Sequence, residues 1–400
     1  MKLHEKETDV LLSLLSYCLF QQKPEIDPVD VDWKKMISSA NDHVVTPLLY
    51  PAVMQIPNVP VEIFDSVQRH AVRSSVKLER VAKIQSEVLG LLNNENIPCV
   101  VLKGMAVARN YPFPELRLSG DMDLLVSCSD MARANELLLS AGFVCADKNE
   151  IHVVYGKNGI IIELHHHISR FPDSDKGNFA KEFMSDAVNH SRTEAVGIYE
   201  FPALEQPYQL LALLMHMERH MGASGIGLRQ LCDWAVSVYH MKQDEECEFL
   251  KLAADCGLLD FSRIITKVCQ KYLRLPKLHW TQGVEDEIVT AVMEDILSVG
   301  DFQIQQLKRP YGSVVIDPYG SGDAENGNII VTYIKRVKRK MSVDYSWAKS
   351  NFLVPFFCVF YLLKWLFEIL TGKSVHRNFG NTLITARKRE RMLRKLRLYR

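Results

Sequence analysis

Apolar residues recur at helical spacing through residues 1–95 of the chain. The run from Leu11 to Phe20 follows three acidic residues and predicts an amphipathic first helix. No small-residue cleavage site follows this run, and it is too short to span a bilayer, so we expect neither a signal peptide nor a membrane anchor there. Residues 61–93 keep Ser, Gln, Arg and Lys on one side and predict a single long helix. We therefore predict an N-terminal helical region over residues 1–95.

The pattern changes at residue 99, where short β-rich runs alternate with a helical one. In order, the chain reads as a strand ("CVVLKG"), one or two helical turns, a second strand ("DMDLLVS"), a helix ("SDMARANELLLSAGF") and a hairpin ("IHVVYGKNGIIIELHHHI"). This order predicts a small mixed sheet with helices over residues 96–203. The predicted fold class is α+β, with this core flanked by N-terminal and C-terminal helical regions.

Helical spacing returns beyond the core and predicts a C-terminal helical domain over residues 204–308. It includes "EQPYQLLALLMHMERHM", "LRQLCDWAVSVYHM" and two helices joined at Gly257. Residues 309–330 are rich in Gly, Pro, Asp and Asn and predict a flexible loop. Residues 331–400 predict a helical extension with a basic tail. Within it, the twelve apolar residues 352–363 predict a buried helix, with membrane contact as the alternative.

The charge of the chain is balanced overall and is informative only at the C-terminal end. The chain has 48 Lys and Arg against 48 Asp and Glu, so its net charge gives no argument for nucleic acid or membrane. Residues 387–400, however, hold eight Lys or Arg and one Glu, and Met392, Leu393, Leu396 and Tyr399 share one helical face. This segment predicts contact with anionic membrane, nucleic acid or a partner, or a solvated helix end. Nine scattered cysteines without a CxxC pair predict a cytoplasmic protein, with peripheral membrane association as an alternative.

The candidate chemistry begins with two carboxylates one residue apart. Asp121 and Asp123 in "SGDMDLLV" project from the same face of the predicted strand, where each raises the pKa of the other. A divalent cation between them removes that repulsion, and their oxygen ligands suit Mg²⁺ or Mn²⁺. Glu163 follows the apolar residues 160–162 and joins the cluster if its strand lies beside the first. We predict Asp121, Asp123 and Glu163 as catalytic metal ligands.

Nearby cations and glycines suit phosphate. Lys103 and Gly104 stand at a predicted turn from strand to helix, where backbone N–H groups and a close approach favour an anion. Arg117 can hold a phosphate with two parallel hydrogen bonds, and Gly120 leaves room beside Asp121. We predict these four as nucleotide or phosphate contacts, with a surface cation as the alternative for Lys103 and Arg117.

Three histidines are candidates for lining the site. His165 shares the predicted strand face of Glu163. His216 and His220, in "HMERH", lie four residues apart on one helix face, and Asp233 reaches them if its helix packs antiparallel. The motif is not HExxH, which argues against a zinc protease. A polar patch between helices is the alternative interpretation.

The segments "LKG", "YPFPELRLSGDMDLLV" and "IIIELHHHI" together resemble the uncharacterised bacterial nucleotidyltransferase family of the DNA polymerase beta superfamily. The resemblance implies Mg²⁺-dependent transfer of a nucleoside monophosphate from an NTP such as ATP to an acceptor, with release of pyrophosphate. It implies Asp121 and Asp123 as metal ligands, Glu163 as the third acid and Gly104 as the phosphate-side turn. This chain has Lys-Gly where the superfamily usually has Gly-Ser, and Glu163 where it usually has Asp.

The sequence leaves several points open. A nucleotide-binding or regulatory module without turnover is the alternative function, associated with membrane or nucleic acid through the basic tail. The acceptor can be a small molecule, a sugar, a protein or an RNA end. Neither the base of the NTP nor the oligomeric state can be read from the residues.

Overall fold

The structure is a computed structural model that describes residues 2–23, 30–222, 225–299, 334, 337–338, 341, 351–370 and 389–399. The predicted loop over residues 309–330 lies outside the described residues, as does most of 331–350. Among the described residues, no helix combines the length and the apolar character needed to cross a bilayer.

A seven-stranded mixed sheet forms the centre of the described structure. Its strands are β1 (Cys99–Val101), β2 (Met122–Val126), β3 (Val144–Lys148), β4 (His152–Lys157), β5 (Ile160–His165), β6 (Ser191–Val196) and β7 (Tyr199–Leu204). Their order across the sheet is β3-β4-β5-β2-β1-β7-β6. The pairs β2–β5 and β1–β7 are parallel, whereas the other neighbours are antiparallel. The predicted α+β class is confirmed.

Helices precede the sheet, connect its strands and follow it. They are α1 (Lys6–Phe20), α2 (Trp33–Asp42), α3 (Tyr50–Val53), α4 (Val61–Asn94), α5 (Met105–Ala108), α6 (Met131–Ser140), α7 (Asp175–Ser185), α8 (Tyr208–Gly222), α9 (Leu228–Tyr239), α10 (Gln243–Asp255), α11 (Leu259–Tyr272), α12 (Asp286–Val299) and α13 (Val354–Leu370). The predicted first helix, the long helix ending near residue 93 and the helix pair joined at Gly257 are all present.

The two faces of the sheet belong to different apolar cores. Met122, Leu124 and Val126 of β2 point to the face covered by α4 and α6. Leu125 points to the opposite face, toward the core that contains α8 and α9. Because side chains alternate along a strand, Asp123 projects on this second face. The alternation of β2 therefore directs its acidic residue toward the helical side of the molecule.

The second core joins helices from both ends of the chain. Leu11 of α1, Trp234 of α9 and Phe261 of α11 belong to one continuous cluster and are fully buried. Trp234 also donates its indole N–H to Thr266 Oγ1 at 2.9 Å, which satisfies its polar atom inside the core. The predicted division into five regions remains a prediction.

The basic tail packs into this helical core, in contrast to the expected free amphipathic helix. The four residues of its predicted apolar face are buried there. Arg389 donates to the backbone oxygen of Met221 at 2.6 Å and pairs with Asp295 at 3.2 Å. The apolar face of the tail is thus used within the protein, whereas contact of the tail with membrane or nucleic acid stays a prediction.

We expect Leu396→Ala to lower the free energy of unfolding by about 2–3 kcal/mol, because it leaves a cavity in a core that can partly relax at this segment. Leu396 is fully buried. Urea denaturation would measure the change, with Arg391→Ala, at an exposed position of the same segment, as the control. Equal stability of the two variants would contradict the docked arrangement.

Helix α13 also differs from expectation, because the apolar run predicted to be buried has one exposed face. Phe352, just before the helix, is 90% exposed and Phe356 is 65% exposed. Only the opposite face, with Val354 and Phe357, is buried. An apolar run alone does not show on which side a helix is covered.

Acid is expected to destabilise the N-terminal helices through His43. Its Nδ1 accepts the backbone N–H of Leu228 at 3.2 Å, and burial lowers the pKa of His43 to about 4. The neutral form is therefore favoured in the native state. Its contribution is complete above pH 6.5, the usual pKa, and about 3 kcal/mol is lost as the pH falls toward 4. His43→Asn keeps an acceptor but does not titrate, so its unfolding free energy should fall less steeply over this range.

Candidate active site

A cluster of three carboxylates lies where β2 and β5 run side by side. Asp123 is directly paired with Glu163 in the parallel register, and Asp121 immediately precedes β2. One oxygen from each of the three carboxylates lies within 4.8 Å of the others. The expected adjacency of the two strands is therefore present, and it brings Asp121, Asp123 and Glu163 together on the helical side of the sheet.

Lys103 and His165 favour the ionised form of Asp123 in its buried position. Lys103 Nζ lies 2.7 Å from Asp123 Oδ1, and His165 Nε2 lies 3.2 Å from the same oxygen. Burial by itself raises the pKa of Asp123, but Lys103 and His165 outweigh burial and hold it well below the usual value. The charge of Asp123, followed by burial, raises the pKa of Asp121. The two aspartates therefore differ: the negative charge of Asp123 is compensated by its neighbours, whereas that of Asp121 is repelled by Asp123.

His165 contacts both strands of the cluster. In addition to Asp123, its Nε2 lies 3.3 Å from Glu163 Oε2, while its Nδ1 faces the backbone oxygen of His167 at 3.3 Å. Burial lowers the pKa of His165, but hydrogen bonds to the two carboxylates more than offset this and raise it. The predicted position of His165 beside Glu163 is present, and the ring donates to the carboxylates when it is protonated.

A fourth group, His152, faces Glu163 from β4. Asn149 fixes its ring, because Asn149 Oδ1 accepts the backbone N–H groups of Ile151 and His152 and so directs Nδ2 at His152 Nε2, 2.9 Å away. His152 Nε2 must accept, which leaves the ring proton on Nδ1. That buried atom lies 3.5 Å from Glu163 Oε2.

This tautomer affects where a metal ion can bind. His152, Glu163 and His165 form a second group with metal-ligand atoms close together. A metal on Nδ1 of His152 would require the proton on Nε2, where it would face the amide N–H of Asn149. We therefore favour the three-carboxylate group as the metal-binding set, with His152 supporting Glu163.

Helix α8 covers the cluster and brings two predicted histidines to it. His216 Nδ1 lies 3.2 Å from Lys103 Nζ, and the rings of His216 and His220 are in edge contact. Burial, and next the charge of Lys103, hold the pKa of His216 well below its usual range. Burial also lowers the pKa of His220, to about 3. Both rings are neutral near pH 7 and can hydrogen-bond a substrate without adding charge.

The turn after β1 has a backbone conformation that favours glycine. Gly104 has φ +62° and ψ −113°, a combination rarely available to residues with a side chain. The helix predicted after it, α5, is present but has only four residues, so its dipole is weak. Gly120 directly precedes Asp121 in the loop before β2. These observations leave the predicted phosphate contacts of Gly104 and Gly120 as proposals.

Arg117 is engaged differently from the predicted phosphate contact. Its Nε and Nη2 donate to Asp233 Oδ1 and Oδ2, both at 2.7 Å, and the pair is buried. Tyr111 donates to the same carboxylate at 2.7 Å. Asp233 therefore binds Arg117 instead of the predicted His216 and His220. The paired guanidinium anchors the loop before β2 to α9, which corrects its assignment as a phosphate clamp.

Two cations near the carboxylates come from helices that the sequence did not connect with the site. Burial, and next the charge of Arg229, lower the pKa of Lys77 on α4, while Asp121 acts in the opposite direction. Arg229 on α9 donates to the backbone oxygen of Leu118 at 3.4 Å, just before the carboxylate motif. Lys77 and Arg229 look like ordinary polar residues of amphipathic helices, so nothing in their sequence spacing connects them with the carboxylates.

Together these residues can hold a hard divalent cation and an anionic ligand. Three carboxylates within reach of one another supply the oxygen ligands that such a cation prefers. Lys103, Lys77 and Arg229 supply positive charge around them. The donor set thus fits a divalent metal with a phosphate-bearing substrate.

Comparison with known proteins identifies a matching family. A family model described as an uncharacterised nucleotidyltransferase matches residues 29–274, which include the sheet, the carboxylate cluster, and helices α8 and α9. No curated protein and no solved structure matches the chain.

Proposed function

Because the chain belongs to the uncharacterised nucleotidyltransferase family, we propose that it transfers a nucleoside monophosphate from an NTP to an acceptor in an Mg²⁺-dependent reaction. The observation that carries the proposal is the pairing of Asp123 with Glu163 on parallel strands, with Asp121 beside them. Phosphoryl transfer depends mainly on positioning and on charge stabilisation, and a carboxylate cluster surrounded by cations suits both.

In this proposal, Asp121, Asp123 and Glu163 hold the metal. When bound, a divalent cation neutralises phosphate charge and stabilises the charge that develops during transfer. Lys103, Lys77 and Arg229 contact the triphosphate, and the conformation of Gly104 lets the backbone approach it. His216 and His220, neutral and partly exposed, line the side of the cleft formed by α8.

The proposed reaction forms one bond and breaks one. The acceptor oxygen bonds to the α-phosphorus, and the bond from that phosphorus to the bridging oxygen breaks, so pyrophosphate leaves. The acceptor proton passes to Glu163, whose carboxylate faces His152 Nδ1 at 3.5 Å and His165 Nε2 at 3.3 Å. The acceptor remains a small molecule, a sugar, a protein or an RNA.

One observation favours the second candidate, a binding or regulatory module without turnover. Lys103 already neutralises Asp123 at 2.7 Å and would compete with a metal for that carboxylate. In such a module, NTP binds but no pyrophosphate is released.

A single experiment separates the two candidates. The purified protein is incubated with each of four α-labelled NTPs, Mg²⁺ and a cell extract, and labelled products and pyrophosphate are measured. A labelled product that depends on Mg²⁺ supports the transferase. Mg²⁺-dependent NTP binding with no product from any of the four supports the binding module.

We expect His152→Leu to weaken divalent metal binding by about tenfold, because it removes the polar ring that faces Glu163 at 3.5 Å, and loss of a group supporting a metal ligand typically has this effect. Titration with Mn²⁺ followed by electron paramagnetic resonance measures this without catalysis. His166→Leu, at the next position after β5, is the matched control. Unchanged Mn²⁺ affinity in His152→Leu would show that His152 does not orient Glu163.

A further inference from the structure

Helix α13 has an exposed apolar face that the proposed reaction does not use. Large apolar side chains on or next to this helix are exposed, and five of them lie on one side because each is three or four residues from another: Phe352, Phe356, Val359, Phe360 and Leu363. On the other side, Val354 and Phe357 are buried in a small separate cluster. On the surfaces of soluble proteins, exposed apolar residues usually occur singly, so this contiguous patch indicates a binding surface.

Positive charge stands beside this face. The sequence "KRVKRK", residues 335–340, contains five cations and no acid. Within it, Val337 is buried in the same cluster as Val354 and Phe357, and the neighbouring Lys338 is exposed. Lys364 on α13 is exposed as well. The packing of Val337 therefore brings Lys338 near the apolar helix, and Lys364 is carried by the helix itself.

We propose that α13, together with Lys338 and Lys364, binds the surface of an anionic lipid bilayer. The five exposed positions carry only hydrocarbon or aromatic groups, which suit the boundary between headgroups and acyl chains. The neighbouring cations complement anionic headgroups, and each contributes about fivefold to binding near such a surface. The combination of an apolar face and flanking cations is the chemistry that an anionic membrane recognises.

Sedimentation of the full chain with lipid vesicles tests this proposal. We expect binding to vesicles of equal parts phosphatidylcholine and phosphatidylglycerol, weakened by salt, and little binding to phosphatidylcholine alone. The double variant Phe356→Glu with Phe360→Glu should lower the bound fraction by about tenfold or more, since two charges would enter the interface. Lys338→Glu should lower it several-fold. No nucleotide is needed, so the result is independent of the proposed transferase activity.

The control is Ile198→Glu, which places the same charge at an apolar side chain 88% exposed between β6 and β7. It should bind vesicles as the unaltered protein does, and thermal unfolding should show that all variants fold. Absence of binding to the anionic vesicles, or equal binding by the double variant, would overturn the proposal. So would a dimer that the double variant converts to monomer without any vesicle binding, which would identify a second copy as the occupant.

Discussion

Asp121→Asn is expected to lower nucleotidyl transfer by about a thousandfold or more while leaving the protein at least as stable as before. The loss follows because the substitution removes a proposed metal ligand from the carboxylate cluster, and charge stabilisation there is worth several kcal/mol. Stability is retained because Asp123, followed by burial, raises the pKa of Asp121, so its ionised form is unfavourable in the native state. Release of pyrophosphate and the melting temperature measure the two effects separately.

Asp130→Asn provides a matched control, because Asp130 lies beyond the end of β2 and accepts a hydrogen bond from Ser127. It should retain transfer. If Asp121→Asn transferred at the unaltered rate, the proposed reaction would lose its main support. If Asp121→Asn failed to fold, the stability part of the prediction would be wrong. Asp121 would then stabilise the fold by more than its repulsion with Asp123 destabilises it.

The largest expected effect on stability comes from Asp233→Ala. Arg117 is only 4% exposed, and its two hydrogen bonds to Asp233 compensate its buried charge. Removing one partner of a buried ion pair typically costs about 3–5 kcal/mol, because the other charge remains buried without compensation. Tyr111 loses its acceptor in the same variant. The midpoint of urea denaturation should fall accordingly.

The double variant Arg117→Met with Asp233→Leu separates charge from packing. It removes both charges and retains apolar volume, so most of the lost stability should return. A cost below about 1 kcal/mol for Asp233→Ala would mean that Arg117 can reach water, and its predicted contact with phosphate would then deserve a direct binding measurement.

The carboxylate cluster could be predicted because short sequence patterns identify both of the strands that carry it. The period of two in "DMDLLV" identifies the shared face, and the apolar residues before Glu163 identify the neighbouring strand. The position of His152 was also accessible. If Asn158 and Gly159 form a two-residue hairpin turn, Lys157 pairs with Ile160, and counting back places His152 opposite His165, as observed.

Other parts of the fold and the site could not be predicted from the spacing of residues in the sequence. The partner of Arg117 lies 116 residues away on α9. The edge strand β3 was missed because all its residues are exposed and no apolar alternation marks it. The hairpin of β6 and β7 was missed because its outer strand, β6, is mostly polar.

Helix α13 and the tail are covered differently from expectation. The apolar run was predicted to be buried and has an exposed face, whereas the apolar face of the tail, predicted to contact membrane, nucleic acid, a partner or solvent, is buried in the helical core. Composition indicates that a helix has an apolar face. It does not indicate which other face in the chain covers it, because that depends on long-range packing.

The docking of the tail has a consequence for the order in which the molecule is made. Arg389 bonds to Met221 across 168 positions, and the backbone N–H of Tyr399 bonds to Gly257. The sheet with its carboxylates is complete in sequence by Leu204, whereas α8, which covers it, acquires its final neighbours only when residues 389–399 emerge from the ribosome. During synthesis, the strands that carry the carboxylates therefore exist before the helix that covers them gains its last contacts.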